Sequence, residues 1–280
     1  MLFATTELAA RIERVEAGLM ADSGRAVERS RPAASAMVLS LAGGVATYAG
    51  EGSPLNKVAG LGFEGPVSVA ELEEVERLYA ERGSPVHVEL SCLADPSIGA
   101  LLTGRGYRLV GFENVLGREL SDGPAGDSPG LDIRASDEAD FDVWLDAVVT
   151  GFLSPNDEGL PAHESFAREA LEQAIGDMAG AEGFLRYLAR RDGNPAGGAS
   201  MRLGEGVAQL CGAATVPAHR RRGVQAALLA HRLAVAARAG CDVAVVTTQP
   251  GSLSQRNVQR NGFELLYTRA VLMLEARGVE

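Results

Sequence analysis

The stretch TVPAHRRRGVQAAL, residues 215–228, sets three consecutive arginines between a proline and a glycine. Apolar residues precede it in a run and follow it at helical spacing, so the pattern predicts a strand, a turn and a helix. Gly223 leaves room for a ligand to approach the backbone. The helix that follows presents unpaired N–H groups and its positive dipole end to the turn. Together with Arg220, Arg221 and Arg222, these groups predict an anion site suited to phosphate.

The rest of the chain is acidic. Its 280 residues include 26 Lys and Arg against 37 Asp and Glu, a formal net charge of −11. A general nucleic-acid binder carries excess positive charge, so this balance argues against one and mildly favours a cationic substrate. Three arginines at a helix start are slightly unfavourable with the helix dipole, which indicates a compensating anion. A solvated surface run of charge is the alternative interpretation.

The cysteine, histidine and hydropathy patterns indicate the cellular compartment of the chain and its partners. Cys92, Cys211 and Cys241 are far apart and form no CxxC pair, which is typical of a reducing compartment and predicts no disulfide and no zinc site. The four histidines form no ligand pair, so we expect no metal. Residues 1–20 carry charges throughout, and no apolar run is long enough to span a bilayer. We expect a soluble cytoplasmic protein with no membrane or nucleic-acid partner.

The chain divides into two similar halves. Residues 121–130, SDGPAGDSPG, have the composition of a linker between residues 1–120 and 131–280. Each half contains a strand, a turn with proline, a short helix, a Gly-aromatic pair and a strand. A shift of 156 residues, the separation of Gly106 from Gly262, superposes all of these segments. This shared register predicts a tandem duplication.

Four local patterns give further expectations. Residues 5–20 are predicted to form a helix, and GVAQLCGAATV, residues 206–216, is predicted to be one long strand. Asp192-Gly193 is typical of a hairpin turn. The helix after Gly223 has apolar residues at core spacing, which places Arg232 on its solvent side.

The arginine turn resembles motif A of the GNAT acetyltransferase superfamily. That motif has Arg or Gln, two residues, Gly, one residue, then Gly or Ala, and it follows a strand and a proline. Arg220 takes the first position, Gly223 takes the first glycine, and Pro217 stands three residues before Arg220. Gln225 departs from the pattern at the second small position, although Ala226 follows it directly.

A second motif strengthens the resemblance. SLSQRNVQRNGF, residues 252–263, followed by a strand, is similar to the family's short helix that ends in Gly-Phe. The resemblance covers roughly residues 131–277. It implies a mixed α/β (α+β) fold of two GNAT-like domains, each with a mostly antiparallel central sheet flanked by helices. Residues 131–280 would be the catalytic domain.

The N-terminal half resembles a degenerate copy. Glu64 stands where Arg220 stands in the other half, and Glu71, Glu73 and Glu74 crowd the following helix start. Acidic groups there repel a pyrophosphate, so we expect no coenzyme A site in this half. The half is expected to pack against the other and to shape the acceptor pocket. Asn56 and Lys57 are expected either to face that pocket or to lie in an ordinary surface loop.

The resemblance implies acetyl-CoA as cosubstrate. Backbone amides of the turn would hold its pyrophosphate, and the end of the preceding strand would pair with its pantetheine. The N–H of Val216 would face the thioester carbonyl as an oxyanion hole. The cofactor residues implied in this way, with Asn257 added from the short helix, are Thr215, Val216, Arg220, Arg221, Arg222, Gly223, Val224, Gln225 and Ala226.

The acid and base of the reaction are less defined. Many relatives have a tyrosine where this chain has Val258, so Ser254 and Tyr267 are the candidates for the acid. Structural roles, at the start of the short helix and inside a strand, are the alternatives for these two. Glu164, Glu182 and Glu205 are candidate bases that no spacing singles out. A water chain could replace a dedicated base.

Several functions fit these observations. The first is an acetyl-CoA-dependent N-acetyltransferase acting on a primary amine of a small molecule. A protein N-acetyltransferase belongs to the same class. Because position 258 holds valine where many relatives have tyrosine, a non-catalytic acyl-CoA-binding sensor or scaffold also fits. A nucleic-acid contact through the arginines would be salt-sensitive, and the net charge argues against it. A homodimer is compatible with the sequence, which does not decide the oligomeric state.

Overall fold

The computed structural model describes residues 2–120, 130–154 and 166–276. Its strands in the first 120 residues are β1 (Met37–Leu41), β2 (Gly44–Tyr48), β3 (Lys57–Ala59), β4 (Val86–Ser91) and β5 (Arg108–Glu119). Its helices there are α1 (Thr6–Ser30), α2 (Val69–Ala80) and α3 (Pro96–Gly104). The predicted linker lies outside the described residues except for Gly130.

The second half repeats and extends this set. Its strands are β6 (Asp132–Ala135), β7 (Phe184–Arg191), β8 (Asn194–Gly204), β9 (Val207–Gln209), β10 (Ala213–Thr215), β11 (Val243–Thr248) and β12 (Glu264–Leu274). Its helices are α4 (Phe141–Leu153), α5 (Arg168–Ala179), α6 (Val224–Arg238) and α7 (Leu253–Arg260). None of the helices described is long and apolar enough to cross a membrane.

One sheet of 12 strands runs through both halves. Its order is β1-β2-β3-β4-β12-β5-β11-β9-β8-β7-β6, and β10 pairs with β8 beside β9. The pairs β3/β4 and β9/β11 are parallel, and the other pairs are antiparallel. The expected mixed, mostly antiparallel sheet flanked by helices is therefore present, but the two sheets are joined edge to edge.

The halves exchange their last strands. β12 lies between β4 and β5 of the N-terminal half, and β5 lies between β12 and β11 of the C-terminal half. The 156-residue shift predicted from the sequence relates β5 to β12 and α3 to α7 within one residue. Glu113 pairs directly with Arg269, its own counterpart under that shift. A pseudo-twofold axis therefore passes between these two residues.

Helices cover both faces of the sheet. A side chain at Gly197 would meet Val224 of α6, whereas one at Gly198 would meet Val148 of α4. Neighbouring residues of a strand point to opposite faces, so α6 and α4 lie on opposite sides of β8. The helix α1 packs beside α5 and crosses from β2 to β9, so it contacts both halves. Its 25 residues extend well beyond the predicted 5–20, because Ala26 and Val27 continue its buried face.

Candidate active site

The arginine turn begins helix α6. Gly223 is the N-cap, with φ of 80° and no side-chain cap bond. The first helical bond runs from the Ala227 N–H to the Gly223 carbonyl at 3.0 Å, so the amides of residues 224–226 face the turn. A β-carbon at Gly223 would meet no atom within 4 Å. Glycine is needed for the backbone conformation, and the space beside it is open to a ligand.

The three arginines have different environments. Arg220 is half-buried, and its Nη2 donates to the carbonyls of Gly151 at 3.3 Å and Ser154 at 2.8 Å. Its guanidinium thus holds the C-terminal end of α4, where the helix dipole is negative. Arg221 and Arg222 are exposed beside the open turn. Both side chains are therefore placed to meet an anion from solvent.

Arg191 joins this turn from the β7 strand. Its Nη2 donates to the carbonyl of Arg222 at 2.8 Å. The sequence pattern did not indicate Arg191, because it lies 31 positions away in a hairpin and reaches the turn only in the folded chain. It adds a further positive charge and fixes the backbone of the turn.

A β-bulge interrupts the strand that was predicted to be continuous. Arg202 of β8 pairs with Gln209, while the Ser200 N–H donates to the Gly212 carbonyl at 3.0 Å. Two residues, Leu210 and Cys211, therefore oppose a single residue of β8. The extra residue separates β9 from β10, so the prediction of one long strand over residues 206–216 was wrong.

Beyond the bulge the sheet opens. The Leu210 N–H donates to the Val245 carbonyl at 2.8 Å, and β9 pairs with β11 only up to this level. In the described chain, β10 then pairs with β8, whereas the end of β11 pairs with β5. The result is a gap between β10 and β11 that leads to the Gly223 turn.

Backbone amides of β10 point into this gap. Gly212 and Val216 are bonded to β8, the latter through its N–H to the Ala196 carbonyl at 3.0 Å. Bonded and non-bonded pairs alternate in an antiparallel ladder, so the N–H groups of Ala213 and Thr215 point away from β8. The oxyanion role expected for the Val216 N–H is therefore corrected, because that N–H is already used in the ladder.

A buried arginine supports the bulge from α6. Arg232 is 3% exposed, and its Nη1 donates to the carbonyls of Ser200 at 2.8 Å and Cys211 at 3.2 Å. Burial lowers its pKa to about 10. The expectation that Arg232 faces solvent was wrong, because the bulge exposes carbonyl oxygens that only an inward donor can satisfy.

The catalytic candidates lie apart from one another. Ser254 is exposed on the first turn of α7, and Ser252 is the residue that caps this helix. Asn257 is half-buried, and Val258 is 7% exposed within the core. Tyr267 is 4% exposed on β12, which β5 separates from β11. Its hydroxyl donates to Glu13 Oε1 at 2.7 Å, and burial raises its pKa.

The candidate bases are also dispersed. Glu205 accepts hydrogen bonds from Arg14 at 2.9–3.3 Å in a surface ion pair, and Glu182 is exposed. Glu164 lies outside the described residues. In the described chain, no group of three or more His, Cys, Asp and Glu side chains could hold a metal ion.

The N-terminal counterpart of the gap is closed. The Asp95 N–H donates to the Gly62 carbonyl at 2.9 Å, which joins the turn after β3 to the turn after β4. A β-carbon at Gly62 would lie 2.6 Å from Ile98, so no space remains there. A cavity of about 450 Å³ lies outside this closure, and α1 contributes Glu7 to its lining. This geometry agrees with a degenerate copy.

The comparison with known families decides the assignment. Residues 151–263 match the model of the Acetyltransferase (GNAT) family. Residues 151–263 of this chain form a GNAT acetyltransferase domain. The match includes the bulge, the gap and the arginine turn. The GNAT domain is an acyltransferase domain, as the resemblance of its motifs implied.

Solved structures share the fold along the full chain. A GCN5-related N-acetyltransferase from Kribbella flavida is 20% identical, with 97% of each chain covered and a TM-score of 0.67. A tandem GNAT protein from the clavulanic acid biosynthesis pathway is 15% identical, covering 98% of this chain and 95% of its own, with a TM-score of 0.61. Comparison with curated protein sequences gave no match. The likeness to a tandem GNAT agrees with the duplicated architecture.

Proposed function

We propose that the chain is an acetyl-CoA-dependent N-acetyltransferase that moves an acetyl group directly to a primary amine of a small molecule. The observation that carries this proposal is the gap between β10 and β11, which leads to the open turn at Gly223. Such a gap exposes strand amides to an extended ligand arm, and the turn offers helix amides to its phosphates. Acetyl-CoA has both parts.

The residues around the gap fit this cosubstrate. Arg221, Arg222 and the amides of residues 224–226 would hold the pyrophosphate. The backbone of Thr215 would pair with the pantetheine arm, and Asn257 would contact it from α7. Bound acetyl-CoA supplies the activated acyl group. The Ala213 N–H points into the gap beside the bulge, and we assign it the oxyanion role that the resemblance implied for Val216.

For the acid that protonates the leaving thiolate, Ser254 is the remaining candidate. It is exposed at the start of α7. Tyr267 has its hydroxyl committed to Glu13, so we propose that it stabilises the contact between α1 and β12 instead.

Two other functions stay open to test. A non-catalytic acyl-CoA-binding module is favoured by Val258, whose burial leaves an apolar side chain where many relatives have an acid. A protein N-acetyltransferase would use the same gap with a different acceptor. An acetyl-CoA complex that turns over small amines favours the first proposal over both.

Calorimetric titration of acetyl-CoA tests the cosubstrate site. We expect binding to the wild type and at least a 100-fold weaker affinity in Gly223→Asp, because the variant puts a negative charge among the phosphate-binding amides. Gly193→Asp is the matched control: Gly193 also has φ of 80° and no atom within 4 Å of an added β-carbon. It lies in the β7–β8 hairpin turn and should bind normally. Equal binding by both variants, or none by the wild type, would reject the site.

A further inference from the structure

Acidic side chains converge where α1 crosses the exchanged strands. Arg269 of β12 forms an ion pair with Glu13 of α1 at 2.7 Å and lies 3.6–3.8 Å from carboxylate oxygens of three other residues. Lys57 of β3 forms an ion pair with Glu89 at 2.5 Å. We call this group the seam cluster; its members are Glu13, Glu16, Glu89, Glu113, Lys57 and Arg269. Four carboxylates face two cations in it.

Glu16 connects the seam cluster to the bulge. Its Oε2 accepts a hydrogen bond from Gln209 Nε2 at 2.6 Å. Gln209 is the last residue of β9, directly before the two bulge residues. Burial, with the nearby charge of Glu16 next, raises the pKa of the bulge thiol of Cys211 to about 12. The N-terminal helix thus places a carboxylate beside the point where the sheet opens.

The side-chain amide oxygen of Gln209 is an acceptor without a donor in the described chain. Gln209 is 8% exposed, and its Oε1 has no hydrogen-bond partner among the described residues. Glu113 Oε2 is likewise buried without a hydrogen bond in the described chain. Arg269 Nη2 stands 3.8 Å from Glu16 Oε2, too far for a hydrogen bond, and is itself a buried donor without one among the described residues. A buried acceptor without a hydrogen bond, such as Gln209 Oε1, and an excess of negative charge are both costly unless a cationic donor completes them.

We propose that Glu16 receives the ammonium group of the acceptor, with Gln209 Oε1 as a second contact, and takes its proton for acetyl transfer. This inference rests on the proposed function. A primary ammonium has one positive charge and three N–H donors, which match the unused oxygen of Gln209 and the carboxylate of Glu16. The acceptor class is therefore a primary alkylammonium ion. The N-terminal half, which has lost its own gap, would then supply the base for the other half.

The ammonium gives one proton to the Glu16 carboxylate and becomes a neutral amine. Its nitrogen forms a bond to the acetyl carbonyl carbon, and the carbon–sulfur bond of the thioester breaks. The nitrogen loses a second proton as the amide forms, and the sulfur takes up one proton. Glu16 returns its proton to solvent, so one proton is released per turnover.

The surroundings of Glu16 suit a proton acceptor. Burial raises its pKa, which brings a carboxylate closer to the working pH of a general base. The cations Arg269 and Lys57 act against this rise, and the carboxylates Glu89 and Glu13 add to it. The thiol of Cys211 and the amide of Gln209 also face Glu16, and the carboxylate of Glu113 interacts with it electrostatically.

The test uses Glu16→Gln, which keeps the side-chain shape and removes the base. The first readout is calorimetric binding of 1-aminobutane and 1,4-diaminobutane to the protein, with and without coenzyme A. We expect at least tenfold weaker binding in the variant. The second readout is kcat/KM for amine acetylation across pH 5–9. We expect kcat/KM of the variant to be lower by about 100-fold or more at pH 7. We also expect it to lack the rise with pH that deprotonation of Glu16 gives in the wild type.

Controls separate this role from a structural one. Glu16→Asp keeps a carboxylate, so its kcat/KM should still rise with pH, although the values should be lower than those of the wild type. Glu28→Gln changes an exposed glutamate of the same helix and should match the wild type. Wild-type amine binding or an unchanged pH profile in a folded Glu16→Gln protein would overturn the inference. Failure of the wild type to bind acetyl-CoA would reject the proposed function separately. The amine titration would still test whether Glu16 binds the ammonium group.

Discussion

Arginine side chains of the C-terminal half differ in what they do, although they lie close together in the sequence. Arg220 bonds the carbonyl end of α4, and Arg232 bonds the carbonyls of the bulge, so both satisfy backbone oxygens. Arg221 and Arg222 are exposed. The first pair should therefore control stability, and the second pair should control ligand binding.

Removing the two exposed arginines should weaken acetyl-CoA binding without unfolding the protein. We expect Arg221→Ala combined with Arg222→Ala to lower the affinity about tenfold at low salt, and less at 0.5 M salt because exposed charges are screened. Isothermal titration at the two salt concentrations measures this. Arg220→Ala is the comparison and should lower the melting temperature instead. A salt-independent loss would contradict an electrostatic role.

Replacing Arg232 should destabilise the fold. Arg232→Met removes the donor from two buried carbonyl oxygens, and we expect a loss of about 2–4 kcal/mol in the free energy of unfolding. Urea denaturation measures it. Arg238→Met, at an exposed position of the same helix, should change stability by less than about 0.5 kcal/mol. Similar values for the two variants would show that the bulge does not need this guanidinium.

Elements that depend on local sequence could be predicted well. Hairpin β7–β8, the helix after Gly223 and the shared register of α3 and α7 follow from turn residues and from apolar spacing. The Gly223 turn with its arginines was also placed correctly at the start of α6. These features require few contacts from distant parts of the chain.

Elements that depend on distant contacts could not be predicted. The bulge at Leu210 and Cys211 is stabilised by Arg232, whose charge suggests a surface residue in any local pattern. The insertion of β12 between β4 and β5 joins residues that are 147 to 188 positions apart. Periodicity gives the faces of a strand but not its neighbours. The hydrogen bond between Glu16 and Gln209 could not be predicted for the same reason, since α1 comes from the other half.

The exchanged strands also predict a pH-dependent stability. Burial, with Glu89 next in effect, raises the pKa of Glu113 on β5 to about 7 from its ordinary value near 4.5. The folded chain then binds this proton more tightly than the unfolded chain, so the contribution of Glu113 to stability falls as pH rises from about 4.5 to about 7.

Substitution at Glu113 tests this sign. We expect Glu113→Gln to gain stability relative to the wild type between pH 5 and pH 8, by on the order of 1–3 kcal/mol. Chemical denaturation at the two pH values measures the difference. Glu119→Gln, at an exposed position of the same strand, should show no such gain. If the stability of Glu113→Gln relative to the wild type were the same at pH 5 and at pH 8, the raised pKa would be contradicted.

At the scale of the whole molecule, the two halves are not independent folding units. Each half places its last strand between two strands of the other half. Either half alone would therefore lack a central strand and leave the two strands beside it unpaired. Covalent linkage through the 121–130 segment keeps the halves together at high effective concentration.

Separate expression of residues 1–120 and 131–280 should give unstable or aggregated chains. We expect co-expression to yield a soluble 1:1 complex, because the exchanged strands then find their partners. Size-exclusion chromatography with light scattering measures the stoichiometry. A folded, monomeric C-terminal half on its own would contradict the dependence on strand exchange.

The pairing of Glu113 with Arg269 has a consequence for self-recognition. Because the two positions are counterparts on the pseudo-twofold axis, two identical C-terminal halves joined in this way would place one guanidinium against another, and two N-terminal halves would oppose carboxylates. Like charges in a buried position are costly, whereas the mixed pair is attractive. The charges at this position therefore favour the pairing of unlike halves over the pairing of identical ones. This preference for unlike halves leaves one half free to keep a ligand site and the other free to lose it.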